Sequence, residues 1–252
     1  MKKQLSILSA AVLSLSLSAS AQALTTGDIA FTSFNADEDG LAFVTFTDIA
    51  ANTSIYFADN EWDGSAFNTG ESYSMWNSGA STIAAGTVIR LIAYDIATPS
   101  ASLGSLARVS VASNTNWGIS NSGETIYAYQ GASATTPTSF LAAITNGTFT
   151  ANGSLTNTGL TDGVNAITLP SSSDYYEYNG LRSGEPTFTA YKDDVANIAN
   201  WTGHNGSGNP DFSATIPNIT AFTVTAVPEP ETYALLLAGL GLVSFMARRR
   251  KV

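Results

Sequence analysis

An antiparallel all-β sandwich is the fold this sequence predicts, and three observations carry it. Short apolar or alternating runs recur at 28–34, 41–49, 54–58, 87–94, 107–112, 124–129, 164–169, 186–191 and 216–225. Turn-forming clusters separate them, such as Asp63-Gly64-Ser65, Asn121-Ser122-Gly123 and Asn152-Gly153-Ser154. Helix signals are scarce between the two ends of the chain. Many short strands with Gly, Asn and Asp punctuation favour two packed sheets, and no fixed repeat points to a propeller or solenoid.

The first two runs flank Asn35-Ala36-Asp37-Glu38-Asp39-Gly40, whose residues tolerate tight turns, so they read as a hairpin. Phe43, Thr45 and Thr47 alternate with Val44, Phe46 and Asp48, the period of a strand. Val88, Ile89, Leu91 and Ile92 are denser, as in a strand buried on both faces. The Ser/Thr/Asn/Gly-rich stretch 131–160 reads as a long loop. Residues 194–200 suggest one or two helical turns, capped by Asp193 or Asp194.

Charge narrows the partners. The 252-residue chain holds 20 acids; Glu229 and Glu231 lie in its last segment, which leaves 18 in residues 24–227. Against them stand Arg90, Arg108, Arg182 and Lys192, a net −14. Such a field repels nucleic acid and favours cations or neutral sugars. There is no cysteine and one histidine, His204, so disulfides, thiol nucleophiles and ordinary zinc sites are excluded.

The two ends are more explicit. Met1-Lys2-Lys3 precedes an apolar stretch and then Ala21-Gln22-Ala23, the pattern of a secretory signal peptide over 1–23. Signal peptidase would cut after Ala23 and leave Leu24 first. At the other end, Val227-Pro228-Glu229-Pro230 leads into an apolar run, 233–247, and then Arg248-Arg249-Arg250-Lys251. The prolines keep the entry extended, and the four cations stop transfer on the cytoplasmic side. The run predicts a single transmembrane helix. As a helix its 15 residues reach about 22 Å, short of a hydrocarbon core of about 30 Å. The anchor is therefore marginal, as suits a temporary one.

Residues 227–252 resemble the PEP-CTERM sorting signal of Gram-negative bacteria. That resemblance implies processing by an exosortase near Pro228-Glu229-Pro230, transient residence in the inner membrane, and a host that makes exopolysaccharide or biofilm matrix. The domain plan is then a leader at 1–23, an extracellular sandwich at 24–226 and a sorting tail at 227–252. Residues 27–95 loosely resemble lamin-tail-like β-sandwich modules, a likeness that brings no catalytic residues.

Candidate chemistry in the body is thin. Asn35-x-Asp37-x-Asp39-Gly40 opens like a calcium loop, but Phe46 stands where an EF-hand needs its closing acid. Four aspartates are the expected ligands of a looser calcium site, either Asp37 and Asp39 beside Glu38 or Asp59 and Asp63 beside Glu61, and calcium is the one cofactor expectation; an acidic solvated turn is the plainer reading. Trp62, Trp76, Trp117, Trp201, Tyr175, Tyr176 and Tyr178 offer flat rings for sugars, though such residues more often fill cores. Gly-x-Ser-x-Gly and His-Glu-x-x-His are absent. The leading expectation is a non-enzymatic surface or exopolysaccharide-matrix protein. The alternatives are a secreted polysaccharide hydrolase with paired carboxylates and a threonine-faced ice or surface binder.

Overall fold

The computed structural model describes residues 23–171, 173–205, 217–225 and 230–249. Its strands, numbered in chain order, pair into two six-stranded sheets. The first runs β12 (Trp201–His204), β11 (Tyr175–Tyr178), β1 (Ile29–Asn35), β2 (Gly40–Thr45), β5 (Val88–Ile92) and β6 (Ser100–Ala101). The second runs β10 (Ala166–Thr168), β9 (Thr136–Thr145), β8 (Thr125–Ser133), β3 (Ser54–Ala58), β4 (Tyr73–Asn77) and β7 (Ser105–Arg108). All pairings are antiparallel except β9 with β10, which is parallel. The predicted sandwich is present with that one qualification.

Apolar side chains explain the stacking. Ile29, Phe31, Phe43, Ile89 and Leu91 of the first sheet face Ile55, Phe57, Trp76, Ile126 and Leu141 of the second in one buried cluster. Phe43 lies edge-on to Trp76 at 5.4 Å and tilted to Phe57 at 5.7 Å between ring centres. The outer faces are covered as well. Trp62, Phe67 and Leu160 cover Tyr73, Tyr127, Tyr129 and Phe140 on one side. Tyr191, Val195 and Phe222 cover Ala42, Val44 and Val88 on the other. Every residue of β2 is therefore buried, and its alternation separates two cores rather than core from solvent.

Several sequence expectations are corrected. Residues 186–191 form no strand: the Thr187 hydroxyl accepts a hydrogen bond from the Ala190 N–H and opens a 3-10 turn, Phe188–Ala190, that leads into α1 (Tyr191–Ala196). Asp193 and Asp194 sit in the first turn of α1, not at its cap. The stretch 131–160 is not one loop, because β9 pairs with β8 along most of its length. Residues 217–225 make an isolated bridge at Thr223 with Ser183 instead of a ladder strand. They form a strap whose Phe222 is buried.

The leader lies outside the described residues except for Ala23, which is exposed. Leu24, the expected first mature residue, is buried in the inter-sheet core, and its N–H donates to Gln130 Oε1 at 3.0 Å.

Candidate functional site

Two features stand out: the C-terminal tail and a group of acids at one end of the sandwich. In the tail, Pro230 opens α2 (Pro230–Arg249), a position where its missing N–H is harmless. Val227, Pro228 and Glu229 lie outside the described residues, as do Arg250 and Lys251; Arg248 and Arg249 fall in the last turn of α2. Leu235, Leu236, Leu237, Leu240, Leu242, Val243 and Met246 are all more than half exposed. Spaced in this way, they occupy several sides of the helix, so this run is no part of the globular interior. Among the described residues, no helix is long and apolar enough to cross a membrane.

The acids come together through strand topology. Asp59 follows the end of β3, Glu71 precedes β4 and Glu124 precedes β8. Because β4, β3 and β8 are antiparallel neighbours, these three positions share one end of the sheet. One carboxylate oxygen from each lies within 4.8 Å of the others. Asp59 and Glu124 are buried and Glu71 is half-buried. Their backbones are pinned: the Asp59 N–H donates to the Ser72 carbonyl at 3.2 Å, the Glu71 N–H to Asn60 Oδ1 at 3.2 Å and the Glu124 N–H to Asn146 Oδ1 at 2.7 Å.

Burial is the main force on the trio. It pushes the Asp59 carboxyl well above its ordinary range, with Glu124 and Glu71 adding repulsion. Burial also raises Glu71 to about 7, again with carboxylate neighbours, Glu124 and Glu61. Glu124 is raised by burial, opposed by hydrogen bonds that include N–H donors from Ser120 and Thr125.

Of the four residues expected to bind calcium, only Asp59 belongs to this group. Asp63 instead closes a local turn, its Oδ1 accepting from the Ser65 N–H at 2.7 Å and the Ala66 N–H at 2.8 Å. Asp37 and Asp39 sit in the β1–β2 turn, where Asn35 Oδ1 accepts from the Asp37 and Glu38 N–H groups at 3.0 Å. Asp39 adopts a positive φ of 50° and accepts from the Ile119 N–H.

Burial pushes Asp39 up to about 6, the Ile119 N–H opposes this and Asp95 adds to it. An acid with a raised pKa in the fold holds its proton more tightly there than when unfolded. Its contribution to stability is therefore best at low pH and is lost as pH rises from about 4 to about 6. Asp39→Asn keeps the Oδ1 acceptor and tolerates the positive φ. After discounting for partial exposure, it is expected to stabilise the fold by about 1 kcal/mol at pH 7. Denaturant midpoints at pH 7 and pH 4.5 check this: the gain should fall to about a third at the lower pH.

The aromatic platforms are mostly core. Trp76, Tyr175 and Tyr178 are almost wholly buried, and Trp62 and Tyr176 nearly so. Trp117 is half-covered by the Arg108 guanidinium, 4.3 Å from its ring, and the Trp201 Nε1–H donates to the Val195 carbonyl at 2.8 Å. His204 stacks on Tyr175 and faces Glu177 at 3.6 Å.

The geometry thus defines a two-sheet β-sandwich followed by a helix whose described leucines are exposed. Residues 226–251 match the family described as the PEP-CTERM protein-sorting motif, so the chain is an exported protein carrying an exosortase sorting signal. No curated protein and no solved structure matches the chain.

Proposed function

We propose that this is a non-enzymatic surface or matrix protein. A cleavable leader directs its export, and signal peptidase removes it after Ala23. The 233–247 helix then holds the chain in the inner membrane, with Arg248, Arg249, Arg250 and Lys251 on the cytoplasmic side. Snorkelling arginines and the polar flank make up the missing length. An exosortase acts near Pro228-Glu229-Pro230, and the sandwich passes to the cell surface or extracellular matrix, where exopolysaccharide is its expected contact. The observation that carries this reading is the sorting-motif match at 226–251 on a helix whose leucines are exposed.

The hydrolase alternative receives less support. Paired carboxylates must reach a sugar and its attacking water. Asp59 is 2% exposed and Glu124 is 4% exposed, too enclosed for a glycosidic bond. The groove of about 830 Å³ nearby is lined by Glu61, Trp62, Asp63, Asn68 and residues 149–151 and 153–156, and the trio does not line it.

Replacing Pro228, Glu229 and Pro230 together by alanine tests the proposal. Full-length precursor should accumulate in the inner-membrane fraction, with little body outside it. Release at the wild-type level would overturn the sorting role.

A further inference from the structure

We propose that Asp59, Glu71 and Glu124 bind one calcium ion. This site goes beyond the sorting function and does not depend on it. It also differs from the calcium set expected from sequence, sharing only Asp59.

The cluster alone would be an arrangement of acids; the polar groups around it point to a ligand. Asp59 Oδ1 is buried without a hydrogen-bond partner, and so is Glu71 Oε2. Tyr94, 2% exposed, enters from the opposite sheet, just beyond the end of β5. Its hydroxyl makes no hydrogen bond of good geometry; it lies beside Ser74 Oγ of β4, also buried, and close enough to Asp59 to feel that carboxylate's charge. Native interiors rarely leave such groups unpaired, and several in one place mark a missing partner.

The missing partner is a cation by charge. The charged neighbours acting on each of the three carboxyls are themselves carboxylates. Among the described residues, no basic side chain acts on them. It is a hard cation by donor type, because all the donors are oxygen. Calcium binds oxygens at about 2.3–2.6 Å, so two of its ligands can stand up to about 5 Å apart. The three carboxylate oxygens, within 4.8 Å of one another, fit that sphere. The remaining positions would fall to the hydroxyls and water, since calcium tolerates irregular shells. Its effect would be to tie β3, β4 and β8 together at one end of the sandwich.

The experiment uses the full chain in mild detergent, stripped with a chelator and titrated with calcium chloride by calorimetry. One ion per chain is expected, with a Kd on the order of 10⁻⁴ M or tighter. Saturating calcium should raise Tm by about 5 °C or more. Asp59→Asn and Glu71→Gln, which preserve shape, should each weaken binding at least tenfold and abolish the calcium-dependent rise. Asp37→Asn, outside the site, should leave both unchanged. Absence of binding by the wild-type chain at millimolar calcium would overturn the proposal, whatever the variants do; the trio would then be neutralised by shared protons. Binding that survives both substitutions would overturn it too, as would an equal response to magnesium.

Discussion

Phe222→Ala is expected to destabilise the protein by about 3–5 kcal/mol, the range for removing a buried aromatic ring. The ring stacks on Tyr178 at 5.7 Å, meets Tyr191 edge-on at 5.0 Å and lies under the Arg182 guanidinium at 4.9 Å. It is the plug of the 217–225 strap. The strap's backbone is fixed by the Phe222 N–H to the Gly86 carbonyl at 2.7 Å, Thr223 N–H to Arg182 at 2.8 Å and Thr225 N–H to Glu185 at 2.9 Å. Gly86 shows how close the approach is: with φ at +85°, a Cβ there would stand 2.2 Å from the Phe222 carbonyl. The measurement is a denaturant midpoint paired with limited proteolysis. A lower midpoint and new cleavage within 217–225 are expected; an unchanged midpoint would show that the strap does not support the sandwich.

Breaking the Glu38–Arg90 pair is the second large effect. Glu38 has a side chain 3% exposed and Arg90 one 15% exposed, and they form a direct ion pair between the β1–β2 turn and β5. Burial raises the Glu38 pKa even though Arg90 opposes it, so desolvation outweighs the pairing. Arg90→Met therefore leaves an uncompensated buried acid, with an expected loss of about 3–5 kcal/mol at pH 7. Without Arg90, the Glu38 pKa should rise further. The penalty should shrink as pH falls below that value, because the fold then takes up the proton that neutralises Glu38. The double variant Glu38→Met with Arg90→Met should be more stable than Arg90→Met alone. Thermal unfolding of the three proteins at pH 7 and pH 5 checks both statements; equal losses in single and double variants would contradict them.

Much of the fold was legible because alternation is a local property. The runs at 28–34, 54–58 and 124–129 correspond to β1, β3 and β8. The tail was legible for the same reason, since prolines, apolar run and cations stand side by side. β9 was hidden because Thr136, Thr138 and Ser139 have the composition of a loop, and their order comes from pairing with β8. β11 was hidden because tyrosines suit a sugar platform and a buried strand equally well. The strap has the β-like alternation of Phe222 and Val224 but joins no ladder: Phe222 is buried with Tyr191 and Val195 of α1, while Val224 is exposed.

The acid cluster was the least legible feature. Asp59 drew attention with Glu61 and Asp63 because they are close in sequence. The fold separates them: Asp59 turns inward, while Asp63 is exposed and is held below its ordinary pKa by the backbone N–H groups of Ala66 and Ser65. Its true neighbours, Glu71 and Glu124, lie 12 and 65 positions away. The one sequence signal for them was placement: each acid stands within two residues of a strand end.

The intact mass of the protein recovered outside the inner membrane tests the central claim most directly. If the sandwich is cut free by an exosortase, that mass should correspond to a chain beginning at Leu24 and ending near Pro228-Glu229-Pro230, without the leucine-rich helix. A mass that retains the sequence through Val252 would contradict the account.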